Sequence, residues 1–591
     1  MTGHTGSEQD EEFAVVYKSR YADVAVVDEL IHDRVLGGAA QRGSRPAMVD
    51  TVSGKSLSYA ELAGLVRKLA AGLAENGLRK GDVLALHSPN TILFPVVFFA
   101  TTTAGGTVTT LSPLATPEDM AKQLVDSEAK MLVTVSALLE PAKAATALVR
   151  QQTGAELEVL VCDQAEAHRS VMELLSDGEV PAYDSDPGTD VAVLPYSSGT
   201  TGTPKGVMLT HRNISTNLEQ LTDLHRVEEG DRIIAILPFF HIYGMAVLVN
   251  NALFHGATVY VHPRFDLDAF LTSLERDKIT HAYLAPPVML VLAKHPAVGN
   301  LDLSGLKRII CAAAPLDGDL QKAVADRLGV EIGQAYGMTE LSPGTHIHVD
   351  GNTDEPAACV GHLFPSTEAR LVDLASGEDV PEGEPGELWI RGPQVMKGYF
   401  GRQDETDAML DGDGWLHTGD IARVDAEGNW FVVDRVKELI KYKGYQVAPA
   451  ELEATLLSHP EIADAAVIGV YDEDNNEVPK AFVVPVAGSS LTPEQVQEYV
   501  AGLVAPYKKV RRVEFIEACR RPRPGRSCAA SFAPRKPRPP ASWSGSCQGA
   551  TWTCGSGNRR SPRRFLLSAA LMVRPPLRSA HDGSCRRSCG G

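Results

Sequence analysis

Apolar positions along this chain recur at two spacings, and their alternation sets the expected architecture. Ser58-Tyr-Ala-Glu61 forms a capping box, in which a serine hydroxyl and a glutamate carboxylate close the first turn of a helix reciprocally. Leu62, Leu65, Val66, Leu69 and Leu73 then follow at helical spacing. Gly77 predicts the end of that helix, and Val83 to Leu86 reads as the next strand. The same helix-then-strand order returns at Leu271 to Ala285 and at Leu320 to Glu331. Such alternation predicts a layered α/β protein with largely parallel sheets. From Pro381 to Gly398 the pattern shifts to short strands and Gly/Pro turns, which predicts a small β unit. No internal repeat of solenoid length is present.

A second unit begins near Asp434 to Lys437. Pro449-Ala-Glu-Leu-Glu453 starts a helix, and Ala463 to Val470 and Ala481 to Val486 read as strands. Thr492 to Leu503 reads as a further helix, and Arg512 to Ile516 as a last strand. The expected division is therefore a disordered polar segment over 1–19 and a large N-terminal α/β domain over 20–434. A small α+β domain over 435–518 and a tail over 519–591 complete it. A chain of 591 residues is too long for a single core, so more than one folding unit is expected in any case.

Composition changes this picture at the C-terminal end. Apolar residues make up 44% of the chain, as in a globular protein. Met1 to Glu12 is polar and acidic without an apolar core, so no signal peptide is expected. The apolar patch at Ile92 to Ala100 is interrupted by Pro95 and is too short to span a bilayer. Both features predict a cytoplasmic protein without stable membrane association. The net charge of −19 is a sum of opposites: residues 519–591 hold 15 Lys/Arg and one acid, Asp582. Six of the nine cysteines also lie there: Cys519, Cys528, Cys547, Cys554, Cys585 and Cys589. The cations are scattered among Pro, Gly and Ser with no amphipathic period, which predicts disorder and no nucleic-acid partner. Cys162, Cys311 and Cys359 are isolated and read as reduced, buried thiols.

The chemistry concentrates in Tyr196-Ser-Ser-Gly-Thr-Thr-Gly-Thr-Pro-Lys205-Gly206-Val207, between a strand at Val191 to Pro195 and a helix after His211. Ser197, Ser198, Thr200 and Thr201 supply hydroxyl donors, while Gly199 and Gly202 let backbone N–H groups turn toward an anion. Lys205 adds a point charge for phosphate oxygens. The loop reads as a grip for a nucleoside triphosphate. It is not the P-loop of NTPases, because Lys205 is followed by Gly206 rather than Ser or Thr.

This loop resembles the phosphate-binding signature of the acyl-adenylate-forming superfamily, which includes acyl-CoA ligases, adenylation domains and firefly luciferase. Gln334-Ala-Tyr-Gly-Met-Thr-Glu340, Gly414-Trp-Leu-His-Thr-Gly-Asp420 and Asp434-Arg-Val-Lys-Glu-Leu-Ile-Lys441 resemble it further, in the expected order. Over about residues 20 to 518 the chain looks most like a 4-coumarate–CoA ligase. The resemblance implies ATP, Mg²⁺ and coenzyme A as cofactors, a carboxylic acid such as cinnamate or 4-coumarate as substrate, and a mobile lid hinged at Lys437. It implies Glu340 as the Mg²⁺ ligand, Thr339 as a donor to the α-phosphate, and Gln334 at the nucleotide. Asp420 and Arg435 would hold the ribose hydroxyls. Lys441 and Gln446 would reach the adenylate from the lid, with Lys443 and Gly444 along the coenzyme A path. In Pro238-Phe-Phe-His241-Ile-Tyr243-Gly244, His241 would face the acyl carbonyl and Tyr243 would line the acyl pocket with Ala312, Ala335 and Gly337. Plant relatives usually carry Ser-Gly-Ala-Ala-Pro where this chain has Cys311-Ala-Ala-Ala-Pro315, so the Ala312 methyl narrows the pocket. Three other readings accompany this one: a medium-chain fatty acyl–CoA ligase, a luciferase-type oxygenase, and a catalytically silent adenylate-binding protein.

Members of the family close on Pro-x-x-x-Ser-Gly-Lys, whose lysine bridges substrate carboxylate and α-phosphate. Here Ala518 leads into Cys519-Arg-Arg-Pro-Arg-Pro-Gly-Arg-Ser-Cys528, with no lysine before Lys536. Codons built from the last base of each codon and the first two of the next, from Cys519, permit Pro-x-x-x-Ser-Gly-Lys-Ile-Leu-Arg-Arg-Glu-Leu-Arg through Ala533. The lysine codon straddles Gly525 and Arg526 when Arg526 uses AGA or AGG. The expectation is a frameshift near residue 518, with adenylation impaired by the lost lysine.

Overall fold

The computed structural model describes residues 15–197, 204–352, 354–436, 438–442, 445–472, 477–504 and 506–517; for 441, 445 and 446 it describes the backbone alone. The described residues form an α/β protein with a large N-terminal part and a smaller C-terminal one.

Two large, mainly parallel sheets carry the N-terminal part. One runs through 205–210, 191–193, 107–111, 83–87, 129–134 and 158–161, with Gly398–Tyr399 at its edge. The other runs through 344–347, 331–337, 308–311, 281–284, 232–235, 258–261 and 46–50. Parallel strands need crossovers, and the helices at Pro117–Asp126, Leu139–Thr153, Leu267–Arg276 and Gly318–Leu328 supply them with one apolar face each. Helix Phe94–Thr103 is different: its residues through Thr102 are all buried. One hydrophobic cluster joins that helix to residues of both sheets, including Leu84, Val108, Ile233 and Val259. The inner helices thus share a core with two sheets, and amphipathic helices cover the outer faces.

The capping box at Ser58 is formed, and the helix it opens spans Tyr59–Glu75. A separate antiparallel sheet contains Glu368–Val372, Gly386–Arg391, Leu416–Val424 and Trp430–Arg435. Its outermost strand is Tyr17–Lys18, paired with Ala369 and Glu368. For the described residues 15–19, that strand corrects the disorder expected over 1–19. Tyr17 sets its ring edge-on against Trp430 at 5.4 Å, so apolar contact fixes a stretch whose charge pattern suggested none. The C-terminal part packs helices Pro449–Leu457 and Pro493–Leu503 with strands Ile462–Tyr471, Glu477–Pro485 and Arg512–Phe515 around a small core of its own. Asp434 joins the two parts, accepting backbone N–H groups from Arg435 and Ala450 at 2.7 and 3.3 Å.

Candidate active site

The glycine- and hydroxyl-rich segment is flanked by two strands that pair with each other. Tyr196–Ser197 pairs antiparallel with the start of Lys205–Thr210, Ser197 opposite Lys205. Ser198, Gly199, Thr200, Thr201 and Gly202 lie outside the described residues. The hairpin base is clamped from two sides. Tyr196 donates its hydroxyl to Asp126 at 2.7 Å, and Asp126 also holds Arg402 at 2.7 Å. Lys205, only 2% exposed, places Nζ 2.5 Å from Glu405 and 4.6 Å from the centre of the Tyr399 ring. A lysine so deeply buried is held by a carboxylate and an aromatic face at once.

Glu340 sits in a tight turn over Thr339–Leu341, is 3% exposed, and is linked to this lysine through Tyr399. One carboxylate oxygen accepts the hydroxyls of Ser197 at 2.8 Å and Tyr399 at 2.9 Å. Those donors stabilise its charge and leave the other oxygen open to a further partner. Burial, and the charge of Glu340 itself, push the Tyr399 hydroxyl far above its ordinary pKa, so it remains a donor. Thr339 is half-buried beside Glu340. The turn tolerates no side chain at Gly337, where a Cβ would meet the Pro343 carbonyl at 1.9 Å.

Asp420 and Arg435 face each other across neighbouring strands in direct register. Arg435 Nε lies 3.1 Å from Asp420, and Tyr336 donates its hydroxyl to the second carboxylate oxygen at 2.7 Å. Asp420 is 5% exposed, and this burial raises its pKa against the opposing pull of Arg435. Tyr336 belongs to the strand at 331–337 that leads into Glu340. One strand therefore serves both carboxylates, its tyrosine holding one and its terminal turn carrying the other.

The aromatic segment at 238–244 follows the strand Arg232–Ala235 and opens a π-helical stretch over Gly244–Asn251. Such stretches are frequent at functional sites. His241 is half-buried, and burial holds its pKa below the ordinary range, leaving a neutral ring. Its Nδ1 accepts the Tyr243 backbone N–H at 3.3 Å, which places the proton on Nε2. Tyr243 reaches the Ile310 carbonyl at 3.4 Å. Ala312, 8% exposed, follows the strand Arg308–Cys311, and the next residue, Ala313, adopts φ +75°. Ala335 is half-buried and Gly337 exposed. Gln334 is turned into the scaffold, where its amide donates to Gln321 at 2.8 Å and to the Leu316 carbonyl at 3.3 Å.

Lys437, Lys443 and Gly444 lie outside the described residues. Lys441 and Gln446 are opposed across a two-strand hairpin of Ile440–Tyr442 and Tyr445–Val447, seen in the backbone alone. The sequence reading missed Tyr336, Tyr399 and Glu405. Tyr336 stood inside a motif already singled out, whereas Tyr399 and Glu405 reach the site only through pairing of Gly398–Tyr399 with Val207 and Met208.

A buried lysine on the strand after the glycine-rich segment, with one buried carboxylate in the turn after the strand 331–337 and a second held by Tyr336 of that strand, defines a two-part nucleotide-dependent enzyme. The chain belongs to the AMP-binding enzyme family, whose model matches residues 37–400; the AMP-binding enzyme C-terminal domain matches 451–526. The relatives the chain matches are acid–CoA ligases, adenylate-forming enzymes that use ATP and coenzyme A. The chain is 39% identical over 515 residues to 4-coumarate–CoA ligase 5 of Oryza sativa subsp. japonica, covering 85% of this chain and 94% of that one. It is 38% identical over 516 residues to 4-coumarate–CoA ligase of Pinus taeda, again 85% and 94%. Among solved structures, ATP-bound MatB from Rhodopseudomonas palustris superposes with a TM-score of 0.78 at 27% identity, covering 85% of this chain and 98% of that one. No helix among the described residues is long and apolar enough to cross a membrane.

Proposed function

We infer that this protein is a cytoplasmic ATP-dependent carboxylic acid–CoA ligase of the 4-coumarate/cinnamate type, working through an acyl-AMP and then a thioester. The observation that carries the reading is the pair of buried carboxylates, Glu340 and Asp420, joined by one strand beside Lys205. Bringing a carboxylate against the α-phosphate requires cations and donors set in a site shielded from water. Lys205 supplies one cation, and a phosphate oxygen would take the place of Glu405 at its Nζ. Thr339 supplies a hydroxyl for the α-phosphate. Glu340 fits Mg²⁺, since hydroxyls occupy one of its oxygens and a hard cation suits the other. That ion would neutralise phosphate charge. Asp420, held by Tyr336 and Arg435, would accept the ribose hydroxyls. The neutral ring of His241 presents a donor at Nε2 toward the acyl group. Beyond these, Ser197 to Gly202 would grip the phosphates, and Gln334 would support the nucleotide from the scaffold. Lys441, Gln446, Lys443 and Gly444 would act from a lid over 435–518, turning about Lys437.

Cinnamate and 4-coumarate are favoured because the Ala312 methyl fills space at the pocket floor. Overfilling such a site costs about 1–3 kcal/mol, so ring-3-substituted acids should be poor substrates and Ala312→Gly should admit them. Comparing kcat/KM for cinnamate and a 3-methoxylated acid in both proteins tests this. An unchanged ratio would remove Ala312 from the specificity argument.

Adenylation is impaired in the chain as it stands, because the C-terminal lysine is replaced by the shifted reading after residue 518. The relatives support this: 85% of this chain spans 94% of the length of the 4-coumarate–CoA ligases, so part of this chain lies outside what they match. The family match ends at Arg526, inside the run where the shifted codons spell the lysine motif. Loss of such an electrostatic group costs ~10²–10³ in rate. ATP–pyrophosphate exchange with cinnamate should therefore rise by that factor when Pro-x-x-x-Ser-Gly-Lys is restored after Ala518. Thioester formation from preformed cinnamoyl-adenylate should change little. Normal exchange in the unrestored chain would defeat the frameshift reading. No exchange after restoration would favour a silent adenylate-binding protein.

A further inference from the structure

Among the described residues, one group of His, Cys and Glu side chains lies close enough to hold a metal ion. It comprises His348, Glu355 and Cys359, whose ligand atoms all fall within 4.8 Å of one another. The group sits in the connection between the strands Gly344–Ile347 and His362–Leu363, away from the carboxylates described above. Its side chains are buried: Glu355 is 1% exposed, His348 7% and His362 4%. Cys359 has no exposed surface.

The contacts within the group call for a positive charge among them. His348 Nε2 lies 3.0 Å from Cys359 Sγ and 2.8 Å from the Cys359 carbonyl, while Nδ1 lies 3.0 Å from Glu355 Oε2. That carboxylate oxygen is nonetheless without an aligned hydrogen bond, although it is fully buried. The other oxygen lies 3.4 Å from His362 Nε2. His362 pairs its Nδ1 with the Gly428 carbonyl at 2.8 Å, which commits the ring proton to Nδ1 and points the Nε2 lone pair at a carboxylate. Two lone pairs facing each other in a dry interior repel unless a positive charge lies between or beside them. Against burial, the contacts to Cys359 and Glu355 raise the pKa of His348 to about 9, so that charge is a proton on His348 or a cation that displaces it. The bond from ring nitrogen to backbone carbonyl is also the arrangement that orients metal-bound imidazoles.

We propose that His348, Glu355 and Cys359 bind a zinc-class divalent cation, with His362 closing the fourth position. A thiolate with imidazole and one carboxylate suits a borderline-soft ion, at about 2.0–2.3 Å from each ligand atom, and discriminates against Mg²⁺ and Ca²⁺. The ion's role is structural. Gly361, at φ +85°, packs against the Ile347 backbone so closely that a Cβ would meet it at 2.0 Å. Ala358 donates its N–H to Gln321 Oε1 at 3.1 Å, the same oxygen that receives the Gln334 amide. Tying Cys359 to His348 therefore braces the strand at 331–337 from behind. This inference is independent of the substrate and of the reaction proposed above.

The test uses the full-length chain, because the six tail cysteines are a competing source of metal ligands. Purified protein is stripped with a chelator, titrated with Zn²⁺, and compared with Cys359→Ser and His348→Gln. The proposal expects each variant to hold one equivalent less than the wild type. It also expects Zn²⁺ to raise the Tm of the wild type alone. X-ray absorption at the zinc edge should show a mixed sulfur–nitrogen–oxygen shell in the wild type. That measurement decides the matter even if a variant does not fold. No zinc uptake, a shell of sulfur only, or equal uptake by wild type and folded variants would overturn the assignment.

Discussion

The turn around Glu340 and the strand pair around Asp420 both bury a carboxylate, but they complete it differently. Among the described residues, the side-chain hydrogen bonds to the Glu340 carboxylate come from neutral donors, the hydroxyls of Ser197 and Tyr399. Asp420 receives the Tyr336 hydroxyl and faces the Arg435 guanidinium. A buried carboxylate with no cation in hydrogen-bond contact holds its charge at a cost and attracts one. A carboxylate already paired with a guanidinium is neutral as a unit and accepts hydroxyl protons instead. On the function proposed above, two acids of one type would serve different partners, a metal–phosphate group at one end and a sugar at the other.

Substitutions in the chain with the restored lysine motif would separate the two roles. Glu340→Gln should lower kcat for adenylation by ~10²–10³ with little change in ATP affinity, as befits charge stabilisation during reaction. Equal losses in kcat and affinity would merge the two sites into one. Asp420→Asn should weaken ATP binding by about 10- to 100-fold, since hydrogen bonds to a charged group contribute roughly 1.5–3 kcal/mol, and should leave kcat closer to normal. Isothermal titration and exchange kinetics measure both quantities. Tyr399→Phe and Tyr336→Phe each remove one donor worth about 1 kcal/mol. The first should appear in kcat and the second in the KM for ATP.

A smaller effect lies where the two parts of the chain meet. Burial raises the pKa of Asp434 to about 7, against the pull of the Arg435 and Ala450 backbone N–H groups. A carboxyl whose folded pKa exceeds its unfolded value binds its proton more tightly when folded, so it costs stability as pH rises from about 4 through about 7. Asp434→Asn should abolish that component, flattening the Tm profile between about pH 4 and about pH 7. A profile unchanged by the substitution would show that Asp434 ionises as readily folded as unfolded.

The layered α/β architecture was legible because helix and strand periods alternate cleanly over Ser58 to Leu86 and again over Leu271 to Glu331. The helix capped by Thr492 and the flanking strands of the C-terminal part were legible for the same reason. Helix Phe94–Thr103 carried no such signal. Buried on all sides, it reads from sequence as a plain apolar patch, and Pro95 suggests a break where it in fact occupies the first helical turn. At the site, motifs marked the acids and Lys205 but not the groups that set their behaviour. Tyr399 reaches Glu340 from 59 positions away, and Tyr336 reaches Asp420 from 84. No local pattern encodes a contact made by strand pairing over such distances. Gln334 shows the converse, for its motif suggested a nucleotide contact while its amide braces Gln321.

The central claim is that this cleft clasps ATP so that a carboxylic acid can attack its α-phosphate. Isothermal titration of the unaltered full-length chain with ATP, and with a non-hydrolysable acyl-AMP mimic, tests it most directly. Saturable binding of both ligands, weakened by Asp420→Asn, is the predicted result. Absence of measurable affinity for either ligand in folded protein would contradict the account, whatever the C-terminal segment encodes.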